Sequence, residues 1–391
     1  MRFVYLLIFA VFTVSTVMAL PNPAAVYCEK SGGEYKVLKT PDGEKGICVI
    51  KDGVKLDAWD FLKGKVGKEY SYSARHGYGT ECEKKRTGSY VVEYAVCFSA
   101  GEGGEAAIAR IPMLELMKQN GEPLINMQDY VRGKSAAWEK NKGDNLVDME
   151  SICKGSRVPS EFDWRNRNGR SYIGSIRDQG SCGSCYAFSA AACAEGTYNW
   201  AVRKWGENCA DFSESFIMWC LGRLSQYCDH FYGCYGADYE YMELDALTTY
   251  GICEETDFKY VIIDPGFCAH WNDKTTVFHS WYRAACGDVG AIKTAIMKYG
   301  VVDAAVLVTV DFMSYSGGIF VDSSTDCPAG YYTPANHAIA LVGWGHDEEC
   351  GDYWILRNSW GAGWGGERIH ANCGKFCKGR LFSFRPGVPR G

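Results

Sequence analysis

Cys185 stands just ahead of an alanine-rich run, Ala187 to Val202, which reads as a helix. A thiol at a helix N-terminus faces the positive end of the macrodipole, which favours its nucleophilic thiolate form. Six residues upstream, Gln179 offers a side-chain amide that can donate a hydrogen bond. A nucleophile, with a donor aimed at the oxygen that becomes negative, is what acyl transfer requires. Two further segments carry the other reactive types, Asn336-His337-Ala-Ile-Ala-Leu-Val-Gly-Trp-Gly and Trp354-Ile-Leu-Arg-Asn358-Ser-Trp360-Gly. His337 and Asn358 lie 152 and 173 residues beyond Cys185, so only the fold can bring the three together. Taken singly, each has a plainer reading: a buried half-apolar cysteine, a core histidine opening an apolar run, a turn asparagine and a surface amide.

The stretch Gln179-Gly-Ser-Cys182-Gly-Ser-Cys185-Tyr186, with His337 and Asn358 following in that order, resembles the papain/cathepsin cysteine proteases. Smaller matches keep the register. Val158-Pro-Ser-Glu-Phe-Asp163-Trp164-Arg165 is similar to their mature N-terminus, Glu195-Gly196 recurs at the family's spacing, and Gly317-Gly-Ile-Phe320 is similar to the turn ahead of the histidine segment. The resemblance runs from Val158 to about Pro386. It implies that Cys185 attacks the scissile carbonyl, that His337 keeps Cys185 ionised and then protonates the leaving amine, and that Asn358 orients the ring. Gln179 and the Cys185 backbone N–H would form the oxyanion hole, and Trp360 would cover the His337–Asn358 hydrogen bond. The implied thiol pKa is roughly 3–4, the range set by papain's own pair. Gly236, Ala237, Tyr239, Asn336 and Trp360 take substrate-facing places by this resemblance, with Tyr239 and Phe382 beside an apolar S2-type pocket. Two positions depart from the family: Tyr186 replaces the usual Trp, and Ala237 replaces a glycine near the bound peptide, which alters the P3 side and not the reaction.

The fold so implied is α+β and papain-like, with a mainly helical domain holding Cys185 and a β-barrel-like domain holding His337 and Asn358. An extended peptide would bind between them. The interval from Gly251 to His270 is too short for the histidine-paired loop behind the dipeptidase activity of cathepsin B, so endopeptidase activity is expected. The resemblance also pairs Cys182 with Cys234, Cys220 with Cys268, and Cys327 with Cys373 or Cys377, with Cys377 preferred.

A chain of 391 residues is long for one core, so two or more folding units are expected. The net charge of −6 argues against a nucleic-acid partner. Arg2, the apolar stretch from Phe3 to Val17 and the small-x-small site Val17-Met-Ala19 read as a secretory signal over residues 1–19; a membrane anchor is the rival, disfavoured by length. Nineteen cysteines behind such a signal point to an oxidising compartment. With Cys185 set apart an even number remains, and Cys193, Cys209, Cys228, Cys253, Cys286 and Cys350 exceed the family pattern with their partners open. Zinc would be the competing use of cysteine. Cys373-x-x-x-Cys377 has a ligand spacing, but no second pair accompanies it, so no metal and no cofactor are expected.

Residues 20–100 read as a small β-rich secreted module, from apolar alternation between glycine turns. Through Cys28, Gly46-Ile-Cys48 and Asp57-Ala-Trp-Asp-Phe61 this module resembles a short domain of unknown function found in secreted bacterial proteins. That family usually has two more cysteines where this chain has Leu56 and Val66, which leaves Cys28, Cys48, Cys82 and Cys97 for two bridges. An accessory or targeting role and a passive extension are both open readings. Residues 101–157 differ. Ile125-Asn-Met-Gln-Asp-Tyr130-Val131, Trp138 and Asp144 to Met149 resemble the short propeptide of cathepsin B-like enzymes, with an interdomain linker as the alternative. A propeptide would lie in the cleft with its backbone reversed until a cut near Arg157–Val158, leaving 158–391 as the peptidase. Cys153, just before that cut, either bridges to the mature part or stays a thiol.

The expected protein is a cysteine endopeptidase made as a zymogen, secreted or held in a lysosome-like vesicle. It would act as a monomer on protein or peptide substrates, with its own propeptide as inhibitor and no stable membrane span. Lysosomal sorting through N-linked glycans has no support, because the chain has no N-x-[ST] site. The rivals are a catalytically silent papain-fold binding protein, a secreted adhesin-like protein acting through the N-terminal module, and a transferase in which an amine resolves the acyl-enzyme.

Overall fold

A computed structural model describes residues 20–99, 110–125, 158–238, 240–276, 278–284, 289–321, 335–349, 351–365, 370–371 and 381–385. The first element, α1 (Pro23–Lys30), is capped by Asn22, whose side-chain oxygen accepts the Ala24 N–H at 2.9 Å; Pro23 fills a first-turn position that needs no N–H. Helix α1 packs on the antiparallel sheet of β1 (Glu34–Thr40), β2 (Gly43–Val49) and β3 (Lys55–Asp57) and on α2 (Ala58–Leu62). The Cys28–Cys48 disulfide joins α1 to β2. Gly33 lies against it, where a Cβ would stand 2.6 Å from Cys48 Sγ. Helix α3 (Tyr72–Arg75) leads into the hairpin of β4 (Gly79–Thr87) and β5 (Tyr90–Phe98). Strand β6 (Arg110–Pro112) pairs with β5, and α4 (Met113–Gln119) buries Met113, Leu116 and Met117 in the same core as Tyr27 and Tyr72.

The module is β-rich as expected, with helices added, and one sequence expectation, the second disulfide, changes. Short helices stand among the strands, because Asn22-Pro23 is a helix start and Ala24, Ala25, Tyr27 and Cys28 form its buried face. The second bridge of this part is not formed, since Cys82 and Cys97 are thiols. Cys82 faces Ala95 and Cys97 faces Thr80 across the hairpin. They are therefore diagonal neighbours at about 7–8 Å, beyond the reach of a disulfide. The Cys97 thiol bonds Ser73 Oγ instead.

Beyond residue 158 the elements are β7 (Phe162–Asp163), α5 (Cys185–Val202), α6 (Glu240–Tyr250), β8 (Ser280–Ala284), α7 (Val289–Tyr299), β9 (Val302–Val306), α8 (Val310–Ser314), β10 (Tyr315–Gly318), β11 (His337–Asp347), β12 (Gly351–Arg357), β13 (His370–Ala371) and β14 (Leu381–Arg385). Their sheet runs β13-β12-β11-β9-β14-β8, all pairs antiparallel, with β7 also on β11. Central β11 is buried from His337 through Gly345, which explains why its apolar run does not alternate. Helix α5 lies on β11 and β9, and its Ser189 hydroxyl donates to Ile339 O at 2.6 Å and to the Asp303 carboxylate. This brings the start of α5 to the start of β11.

Buried charges are paired. Glu195 accepts from Arg357 at 2.7 Å, and Arg177 reaches Asp211 at 2.6 Å, Glu255 at 2.7 Å and Glu214 at 3.4 Å. Disulfides Cys182–Cys234 and Cys220–Cys268 brace the helical part. Cys209, Cys228 and Cys253 are thiols, and the Cys193 thiol donates to Val301 O at 3.0 Å. Residues 1–19 and 126–157, with Cys153, Tyr239, Cys286, Cys327, Cys350, Cys373 and Cys377, lie outside the described residues.

The N-terminal part is fastened to this body over a broad face. Strand β10 pairs with β5, Tyr315 opposite Val92 and Gly318 opposite Tyr90. Glu44 exchanges backbone hydrogen bonds with Ile176 and Ala362, each at 2.8 Å. Gly43, at φ +120°, permits this approach, because a Cβ there would stand 2.8 Å from the Ile176 backbone.

Candidate active site

Cys185 is the first residue of α5, and no side chain caps that terminus, because the Ser184 hydroxyl is engaged with Tyr260 at 2.6 Å. His337 opens β11 and Asn358 follows β12. The antiparallel β11–β12 pair brings them together, with His337 Nε2 to Asn358 Oδ1 at 2.8 Å. Trp360 packs against the imidazole at 4.6 Å between ring centres, with the planes tilted by 30°. His337 Nδ1 has no hydrogen-bond partner.

Gln179 is held from both ends. Its Oε1 accepts from Ser359 Oγ at 2.6 Å and its backbone N–H donates to Ser359 O at 2.9 Å. Two carbonyl oxygens, which can only accept, fix which end of the amide is nitrogen: Nε2 is turned inward, donating to Cys182 O at 2.8 Å and to Leu20 O at 3.1 Å. Asn336 is anchored through Val308, whose N–H donates to Asn336 Oδ1 at 2.7 Å, and its own backbone oxygen accepts the Leu20 N–H at 3.1 Å. Tyr186 is buried, with its hydroxyl donating to Gly233 O at 3.1 Å, so it braces the Cys182–Cys234 loop. Gly236 has a φ of +96° and Ala237 is buried beside Phe231. Phe382 lies on β14.

Leu20 was missed by sequence reasoning, and it occupies the centre. Its backbone faces both the Cys185 thiol and the His337 ring, and Cys185, His337, Gln179 and Leu20 are all 0% exposed. Burial pushes the Cys185 thiol up to about 12, against the N–H groups of Ala338, Tyr186 and Leu20 that favour its anion. Burial also pulls His337 down to about 4, against its bond to Asn358 and the proximity of the Leu20 backbone, which favour the charged ring. The low thiol pKa expected from the family is thus reversed in this closed arrangement. Water is excluded from both partners, and the neutral thiol and imidazole are favoured. Nothing in the sequence tied Asn22 to Gln179 or Trp360.

A family model described as papain family cysteine protease matches residues 158–376. The chain belongs to the papain family of cysteine proteases. A second model, for a domain of unknown function (DUF333), matches residues 19–65. Among relatives, a cathepsin L-like protein of Caenorhabditis elegans is 29% identical over 334 residues, covering 82% of this chain and 88% of that one. A cathepsin L-like peptidase of Aedes aegypti is 30% identical over 240 residues, 57% of this chain and 65% of that one. Of solved structures, digestive procathepsin L 3 of the Tenebrio molitor larval midgut is similar at 22% identity and a TM-score of 0.50, over 70% of this chain and 86% of that chain. The ragweed allergen Amb a 11 cysteine protease in its proform matches at 22% identity and 0.51, over 65% and 74%. These likenesses place the fold among papain-like α+β proteins, and the chain is a cysteine peptidase of that family.

Proposed function

We propose that the chain is a cysteine endopeptidase, secreted or held in a vesicle, made as a zymogen and cut near Arg157–Val158 to leave residues 158–391 as the working enzyme. Cys185 attacks the peptide carbonyl, His337 donates its proton to the leaving amine, Asn358 holds the ring, and Gln179 with the Cys185 N–H binds the developing oxyanion. Water then hydrolyses the thioester. Gly236, Ala237 and Asn336 line the acyl side of the peptide and Trp360 the leaving side. The observation that carries this reading is the meeting of three separate elements at one carbonyl: Gln179 Nε2 donates to it at 3.1 Å, while Cys185 and the Asn358-bound His337 face the same residue. Among the described residues no helix is long and apolar enough to cross a membrane.

The test is peptide hydrolysis by the processed form. Cys185→Ser is expected to abolish it, by roughly a thousandfold or more, with the fold intact by circular dichroism. Unchanged turnover in that variant would remove the catalytic assignment. Product masses should show cuts at internal bonds; release of C-terminal dipeptides alone would replace the endopeptidase assignment.

A further inference from the structure

The residue inside the catalytic centre belongs to the N-terminal part of the chain, and its orientation is informative. The carbonyl bound by Gln179 Nε2 is that of Leu20, and the Leu20 N–H is bound by Asn336 O. A residue whose carbonyl oxygen lies in the oxyanion site is the acyl residue, and the residue after it supplies the leaving nitrogen. That residue is Pro21. The segment therefore runs in the direction of a substrate.

Beyond Pro21 the chain is locked down. The Asn22 N–H donates to Gly180 O at 3.0 Å, and Asn22 Nδ2 donates to Asp178 Oδ1 at 2.9 Å and to Trp360 O at 3.3 Å. Tyr35 donates to Asp178 Oδ2 at 2.7 Å, and Trp59 Nε1 to Trp360 O at 2.9 Å. The same Asn22 caps α1, so the bound strand and the folded module share one residue. A proline nitrogen has a ring carbon where an ordinary amide has hydrogen, and its φ is fixed. The ring crowds the approach of the imidazolium proton that must reach the nitrogen as the C–N bond breaks.

We propose that residues 20–99 are the enzyme's own inhibitor, which closes the site by presenting Leu20–Pro21 as a substrate whose scissile bond the proline protects. The inference rests on the catalytic roles given above, and it assigns a function to a module that matches only a domain of unknown function.

The test uses the unprocessed chain. With Pro21→Ala, Cys185 Sγ should bond the Leu20 carbonyl carbon while the C–N bond breaks and the backbone nitrogen of residue 21 takes the His337 proton. Water then releases Leu20 and everything before it, and returns the thiol and imidazole. Intact mass should show a chain beginning at residue 21, and Cys185→Ser in the same background should prevent the loss. Separately, iodoacetamide should label Cys185 at least tenfold more slowly in the unprocessed wild type than in the processed enzyme. Leu20→Asp, which puts a carboxylate in the sealed site, should restore fast labelling. A Pro21→Ala chain that keeps Leu20, or a wild-type chain labelled as fast as the processed enzyme, overturns the inference alone when the processed form hydrolyses peptides. A processed form that hydrolyses none overturns the catalytic assignment and this inference with it.

Discussion

Asn358 works as a double acceptor, whereas Asn22 works because an amide both accepts and donates. Asn358 Oδ1 accepts from His337 and also from the Ser359 N–H at 2.8 Å, so the asparagine cannot swing away from the ring. Asn358→Ala leaves an imidazolium without its acceptor, and should lower kcat/KM of the processed enzyme about 10–100-fold, chiefly in kcat. Asn22 accepts from α1 with one atom and donates to Asp178 and Trp360 with the other. Asn22→Asp keeps the cap but sets a second carboxylate against Asp178, and should weaken closure by about 1–3 kcal/mol, read as peptidase activity appearing in the unprocessed chain. The closed pair has its thiol near 12 and its imidazole near 4, so between these values neither carries charge. Alkylation of Cys185 in the unprocessed chain should therefore be slow and nearly flat from pH 5 to 9, while the processed enzyme, with both groups opened to water and to each other, reacts fast across that range. Cys185, His337, Asn358 and Gln179 were picked out from the sequence because their motifs are local, and the fold brings them to one place. Leu20 was not, because its neighbours Gln179 and Asn336 lie 159 and 316 positions away and no local pattern marks the contact.

At the scale of elements, the closed state depends on one turn and one buried carboxyl. Gly43 brings the β1–β2 turn onto Ile176 with no room for a side chain. Gly43→Ala meets that backbone and also strains a positive φ, so it should loosen the module without touching the catalytic groups, visible as faster iodoacetamide labelling of the unprocessed chain. Burial pushes Asp178 up to about 6, although Tyr35, Asn22 and the Gly180 N–H donate to it. Between pH 6 and its ordinary value near 4 the closed state holds a proton that an open state releases, so this group favours closure as pH falls through that window and opposes it above 6. The hydrogen-exchange protection of α1, relative to the intrinsic rate at each pH, should accordingly fall from pH 5 to 7 in an unprocessed Cys185→Ser chain, and Asp178→Asn should flatten that fall. The sequence told helix α5 from its alanine run and the N-terminal module as β-rich, but not the short helices within that module. Ala24, Ala25, Tyr27 and Cys28 form a helical face only against α2 and β2, a contact that propensity does not contain.

Over the whole molecule, stability and closure are separable. Arg357 precedes Asn358 and neutralises buried Glu195, linking α5 to the end of β12. Arg357→Met leaves that carboxylate unpaired and should destabilise the peptidase part by about 3–5 kcal/mol in urea unfolding. The Cys28–Cys48 bridge closes a loop spanning 20 positions in the module alone. Cys28→Ala with Cys48→Ala should cost the module about 3 kcal/mol and raise activity of the unprocessed chain, while leaving the Tm of the processed enzyme unchanged.

The cysteine-peptidase assignment was determined by the sequence itself, since a cysteine at a helix start with its flanking motif, followed by the His337 and Asn358 segments, is a pattern of residue type and local spacing. Family membership and the α+β class came with it. Where the N-terminal module docks, which backbone carbonyl enters the oxyanion site, and the direction in which it runs were decided only by tertiary structure. These depend on hydrogen bonds such as Asn22 to Trp360 and Trp59 to Trp360, between residues 338 and 301 positions apart. Burial then inverts the charge preference of the catalytic pair, and burial belongs to the assembled fold rather than to any stretch of chain.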